Sequence, residues 1–157
     1  MDASGKIYVT NIGNATPGES SVAVYDASGN VAPIATISGM ATGLSSPSGI
    51  ALDAHGNIYV TNLYATAPVG NSVTVYAAGA NGNAAPIATI IGGNTGLENP
   101  NGIALDAEGN IYVANEGSNS VTIYAAGPKG TTNATPTATI SGANTGFAVE
   151  LHGVTVH

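Results

Sequence analysis

Short apolar runs, separated by polar and glycine-rich turns, recur along the whole chain. Each run is rich in Val, Ile, Tyr and Thr and is bounded by Gly, Pro, Asn or Asp, which is typical of short β-strands. In the middle of the chain the runs are Gly49–Leu52, Asn57–Asn62, Ser72–Tyr76 and Pro86–Ile90. The pattern therefore predicts an all-β protein made of short strands and tight turns.

The same segment occurs more than once. Gly102–Asn115 (GIALDAEGNIYVAN) is nearly identical to Gly49–Asn62 (GIALDAHGNIYVTN). The chain opens on the second half of this unit at Asp2–Asn11 and closes on a form of its first half at Gly153–Val156. The corresponding strands predicted in the other repeats are Lys6–Asn11, Ser21–Tyr25 and Pro33–Ile37, and Asn110–Asn115, Ser120–Tyr124 and Pro136–Ile140.

The repeat period and its strand content predict a β-propeller. The turn aspartates Asp2, Asp53 and Asp106 lie 51 and 53 residues apart, a spacing that indicates a propeller or a solenoid. Four short strands in such a unit correspond to one propeller blade. We expect a single half-propeller over residues 1–157, with blades at about 2–48, 49–101 and 102–152.

The repeat also resembles a known family. The pattern P-x-G-I-A-L-D-A-x-G-N-I-Y-V-x-N, followed by N-S-V-T-V/I-Y, is similar to the NHL repeat and to the gluconolactonase-like six-bladed β-propellers. This resemblance implies a six-bladed ring. It leaves function open, because such propellers include lactonases, lyases, scaffolds and binding modules.

Three blades leave two sheet faces and a strand edge without a neighbour. We therefore expect a homodimer in which two chains form one six-bladed ring, with strand 153–156 of each chain completing the first blade of its partner. The alternative is that the chain is a fragment of a longer propeller.

Composition narrows the choice of partners. Only 7% of the residues are charged and the formal net charge is −7, which disfavours nucleic acid and anionic membranes. We expect a soluble protein, since no apolar run approaches the length of a membrane span. The chain has no cysteine, and its Thr- and Asn-rich, Lys-poor composition favours an exported bacterial protein.

The loops at one end of the predicted blades form the candidate site. Longer loops on a rigid scaffold commonly carry recognition, and acidic side chains gather at this end. Asn11, Asn62 and Asn115 end the second strand of their blades and are interpreted as turn caps. The candidate ligand-binding residues are Ser48, Tyr64, Glu98, Asn101 and Glu116.

His152 precedes the glycine of the last innermost strand, the position that Ser48 and Asn101 occupy in other repeats. Together with Glu150 it could hold a divalent ion such as Zn, Mn or Ca, and Glu150 is the candidate catalytic base. Alternatively, His152 is a polar residue of the terminal loop.

Two functions follow. The first is a binding module that presents the channel mouth and loops to a small polar ligand or a partner protein. The second is a metal-dependent lactonase or lyase with the ion at the channel mouth.

Overall fold

A computed structural model defines the fold and describes residues 2, 4–13, 18–27, 31–63, 70–147 and 151–156. The described residues form short strands and two 3-10 helical turns, Met40–Thr42 and Ala143–Thr145. No helix among them is long and apolar enough to cross a membrane. The strands are β1 (Ile7–Asn11), β2 (Ser21–Tyr25), β3 (Ala35–Ser38), β4 (Pro47–Leu52), β5 (Ile58–Asn62), β6 (Ser72–Tyr76), β7 (Ala88–Ile91), β8 (Pro100–Leu105), β9 (Ile111–Asn115), β10 (Ser120–Tyr124), β11 (Gly130–Thr132) and β12 (Ala138–Ile140).

The strands build three sheets, and the prediction of an all-β chain is confirmed. The first sheet has the order β1-β2-β3, the second β4-β5-β6-β7-β11, and the third β8-β9-β10-β12. Neighbouring strands are antiparallel, except that β11 lies parallel to β7. Each sheet is an up-and-down meander of the kind that forms a propeller blade.

Most predicted strands agree with the structure within two residues, and β2, β6 and β10 have the predicted bounds. Strand β11 was not predicted, because its three residues, Gly-Thr-Thr, show no strand pattern. They form a strand only by pairing with β7 of the neighbouring sheet. The segment 153–156, predicted as a strand, pairs with no strand of the described chain. The predicted pairing of this segment with a second copy stays a prediction.

Apolar side chains pack between consecutive sheets. The first layer joins Val22 and Ile37 to Ile58, Val60 and Tyr76, all of them buried. The second layer repeats the arrangement one sheet further on, between residues of β6 and β7 and residues of β9 and β10. The second sheet therefore packs one face on the first sheet and the other face on the third.

Tyrosines recur at two positions of each repeat and so form two columns across the sheets. Tyr76 and Tyr124 are buried, and their hydroxyl groups donate to the carbonyl oxygens of Thr42 and Thr95 on the preceding repeat, each at 2.7 Å. Burial raises the pKa of both tyrosines to about 12. In the other column Tyr8, Tyr59 and Tyr112 donate to the aspartate of their own turn.

Candidate functional site

Two buried asparagines fix the loops at the candidate end of the sheets. Asn62 Oδ1 accepts a hydrogen bond from the Ser45 backbone N–H at 3.0 Å, and Asn115 Oδ1 accepts one from Glu98 N–H at 3.1 Å. Both side chains are fully buried. The predicted capping role is confirmed for these two residues, and the loops that enter β4 and β8 have a fixed position relative to their sheets.

Ser48 joins two blades. Its hydroxyl lies 2.9 Å from Thr61 Oγ1 and donates to the carbonyl oxygens of Pro100 and Asn101 at 3.0 and 3.1 Å. Thr61 Oγ1 also donates to the Asn101 carbonyl and accepts from Gly49 N–H. The Ser48 hydroxyl is thus engaged in contacts between adjacent innermost strands, which leaves it little capacity for a ligand.

Asn101, Glu116 and His152 form one hydrogen-bonded cluster, here called the mouth cluster. The Asn101 Nδ2 amide donates to Glu116 Oε2 at 3.1 Å and lies 2.8 Å from His152 Nδ1. Because an amide nitrogen can only donate, His152 Nδ1 accepts, and the neutral ring carries its proton on Nε2. The structure therefore brings three predicted site residues from separate parts of the chain into contact.

Backbone contacts hold the mouth cluster in place. Glu116 N–H donates to the Asn99 carbonyl at 3.1 Å, and Gly117 N–H donates to the Glu98 carbonyl at 3.0 Å. An added Cβ on Gly117 would lie 2.7 Å from Glu98 Cγ, so only glycine lets these loops approach so closely. Glu98 is exposed beside this contact. Its carboxylate is a further acidic group at this end.

Two predicted site residues, Tyr64 and Glu150, lie outside the described residues. Their proposed roles in ligand binding, in metal binding and as a catalytic base stay predictions. Sequence reasoning missed Thr61, which carries the hydrogen bonds between innermost strands. The sequence does hold a signal for it, because Thr10 occupies the same repeat position. In the structure Thr10 Oγ1 likewise donates to the Ser48 carbonyl at 2.8 Å.

A second concave surface lies at the opposite end of the sheets, where the β4–β5 and β8–β9 turns meet. This groove of about 320 Å³ is lined by residues that include Asp53, His55, Asp106 and Glu108. The two aspartates already accept hydrogen bonds from their own turns. The carboxylates of Asp53 and Asp106 can therefore accept fewer hydrogen bonds from a ligand than the groups of the mouth cluster can.

The mouth cluster offers hydrogen-bonding chemistry more readily than metal coordination. It contains one imidazole and one carboxylate, and the same amide nitrogen already contacts both. Among the described residues, no three His, Cys, Asp or Glu side chains are grouped closely enough to hold a metal ion. The described donors alone do not fit a divalent ion, so the predicted ion at His152 and Glu150 stays a prediction.

Three meandering sheets with polar side chains at one end are the architecture of part of a propeller, and a family comparison agrees with it. The model of the SMP-30/gluconolactonase/LRE-like region matches residues 1–143. The chain belongs to this family. The SMP-30/gluconolactonase/LRE-like family is a six-bladed β-propeller family that includes lactonases, and it is related to the gluconolactonase-like propellers that the repeat resembles. A search of curated proteins finds no match.

Proposed function

We propose that this protein is a propeller binding module that holds a small polar ligand at the mouth cluster. The observation that supports this proposal is the Asn101 amide, which contacts both Glu116 and His152 and so orients a carboxylate and an imidazole before any ligand arrives. Preorganised polar groups on a rigid scaffold reduce the entropy lost on binding. Asn101, Glu116 and His152 are the proposed contact residues.

The chemistry of the cluster favours a neutral or cationic ligand that carries several hydroxyl groups. Glu116 offers carboxylate acceptors, and Asn101 Oδ1 accepts no hydrogen bond from a described residue. A hydroxyl group can both donate and accept, so a polyol or a sugar matches this set. An anion would meet acidic side chains and a protein of net charge −7.

The test is a titration followed by nuclear magnetic resonance. The probes are D-glucose, glucono-lactone and ethanolamine, with gluconate as an anionic comparison, and the His152 imidazole signals report binding. We expect saturable shifts with at least one of the first three probes. Asn101→Ala should weaken that binding about tenfold or more, because the amide holds a charged acceptor.

His55 provides the matched control, since it lies in the turn at the opposite end of the sheets. His55→Ala should leave the affinity unchanged. Binding that is lost equally in His55→Ala and Asn101→Ala, or the absence of saturable shifts with every probe, would contradict the proposal.

The second candidate is a metal-dependent lactonase or lyase. It is supported by membership of a family that includes lactonases and by the imidazole and carboxylate in the mouth cluster. In this case hydrolysis of glucono-lactone would exceed the uncatalysed rate and would be lost after treatment with a chelator and in His152→Ala. Catalysis with these properties would replace the binding proposal, whereas saturable binding without turnover would support it.

A further inference from the structure

Two stretches with the same sequence have different exposure. Ile58 and Val60 of β5 are 1% and 0% exposed, because they face the first sheet. Ile7 and Val9 hold the same positions in β1 and are 37% and 38% exposed. This face of the first sheet has the apolar residues of an interface between blades, but no sheet of the described chain covers it.

The first sheet also lacks its innermost strand. In the second and third sheets β4 and β8 flank β5 and β9, whereas β1 has a partner only in β2. At the other end of the described chain, segment 151–156 packs against β8. An added Cβ on Gly102 would lie 2.7 Å from Gly153 Cα, just as one on Gly49 would meet the Asn101 carbonyl. Segment 153–156 thus has the position of the innermost strand of the next blade.

The glycines of the third blade show that its face toward the next blade is also uncovered in the described chain. In the earlier repeats, three sets of glycines lie against the following repeat, and an added Cβ would have atoms of that repeat within 4 Å. Among the described residues, the last glycine of each set has nothing within 4 Å of such a Cβ. The packed glycines are Gly39, Gly92, Gly43, Gly96, Gly49 and Gly102, and the unpacked ones are Gly142, Gly146 and Gly153.

One hydrogen bond is missing at each free face. Tyr76 and Tyr124 donate to Thr42 and Thr95 of the preceding repeat. The Tyr25 side chain is only partly buried, and its hydroxyl has no hydrogen bond to a described residue. The carbonyl of Thr145, which corresponds to those of Thr42 and Thr95, accepts none from a described donor. A donor on the first blade therefore matches an acceptor on the third.

We propose that two copies of this chain close one six-bladed ring through these faces. Segment 153–156 of each copy forms the innermost strand beside β1 of the other, and Tyr25 donates to the partner's Thr145. The arrangement is isologous, since each copy gives and receives the same strand. A second copy fits because both faces repeat the residues of the internal interfaces, a match that an unrelated partner has no reason to provide.

Ring closure makes the mouth a composite site. Along the chain, Ser48 contacts the Asn101 backbone and Asn101 contacts His152. The next residue in this series is the partner's Ser48. His152 therefore lies at the junction of the two copies. Closure does not depend on whether the mouth binds a ligand.

The first test is the solution mass of the purified chain, measured by light scattering over a range of concentrations. We expect twice the chain mass of 15.3 kDa. Gly153→Ala should weaken the dimer about tenfold or more, because the new methyl group would meet the partner's backbone. Gly93→Ala is the matched control, since Gly93 is also open and the third repeat has Ala143 at its position. A folded monomer at all concentrations, or equal affinity for both variants, would overturn the proposal.

A disulfide crosslink tests the strand pairing directly. By analogy with Ile50 opposite Val60, the ring places Val154 opposite the partner's Val9. The chain contains no cysteine, so the double variant Val9→Cys/Val154→Cys introduces the only thiols. We expect oxidation to give a covalent dimer for the double variant and uncrosslinked chains for each single variant. Oxidised double variant that stays monomeric on a denaturing gel would overturn the proposed strand exchange.

Discussion

Each turn aspartate saturates its carboxylate with hydrogen bonds from its own hairpin. Asp106 Oδ1 accepts from the Asn110 backbone N–H, and Asp106 Oδ2 accepts from the Asn110 side chain and the Tyr112 hydroxyl. The side-chain hydrogen bond from Asn110 is the main reason why the pKa of Asp106 lies below its usual value. The turn itself therefore uses both carboxylate oxygens of this residue.

This residue gives a prediction about acid stability. A lowered folded-state pKa means that the ionised carboxylate stabilises the protein above the unfolded-state pKa of about 3.9, and that this stability is lost as the pH falls through the folded-state value. Asp106→Asn should therefore lower the urea midpoint at pH 7, and the difference from the wild type should shrink as the pH falls below 4. The measurement is urea unfolding at several pH values.

Glu108→Gln is the control, because Glu108 is an exposed acid in the same turn. It should leave the midpoint at pH 7 nearly unchanged. A midpoint for Asp106→Asn that differs from the wild type by the same amount at pH 7 and pH 2 would show that the charge of Asp106 is irrelevant.

Strands of adjacent blades are joined by Thr61 at the end of β5. Its buried hydroxyl accepts from Gly49 N–H at 2.7 Å and donates to the Asn101 carbonyl at 3.0 Å, so it links β5 to both β4 and β8. Thr61→Val keeps the shape of the side chain but leaves these backbone groups without their partner. We expect a loss of about 1–3 kcal/mol in the free energy of unfolding, measured with urea.

Thr61→Ser keeps the hydroxyl and should recover most of the lost stability. If Thr61→Val and Thr61→Ser are equally stable, the hydrogen bonds across the blades contribute nothing measurable.

At the level of strands, repetition made the sequence informative. The bounds of β2, β6 and β10 follow from the same Ser-Val-x-V/I-Tyr segment in three places. The parallel strand β11 could not be predicted, because its pairing depends on how one blade lies beside the next. The repeat position of Asn101 and His152 placed both at one end of the sheets. Their link to Glu116 depends on side-chain conformations that spacing does not encode.

For the whole molecule, ring closure predicts a melting temperature that depends on protein concentration. A dimer that forms only from folded chains is stabilised by mass action, so dilution should lower its melting temperature. Calorimetry at two concentrations tenfold apart should show this shift for the wild type. Gly153→Ala should melt at a lower temperature than Gly93→Ala at the same concentration. A melting temperature that is independent of concentration would contradict closure by a second copy.

The outer strands of two blades pair with residues of the following repeat, and this pairing bears on aggregation. Gly82 forms a parallel bridge to Ile37 at the edge of the first sheet, and β11 lies along β7 at the edge of the second. An open sheet edge can template the addition of further chains, and charged side chains commonly prevent it. This protein has few charges, and pairing with the following repeat occupies these two edges instead. The outer strand β12 has only three residues, too few for an effective template.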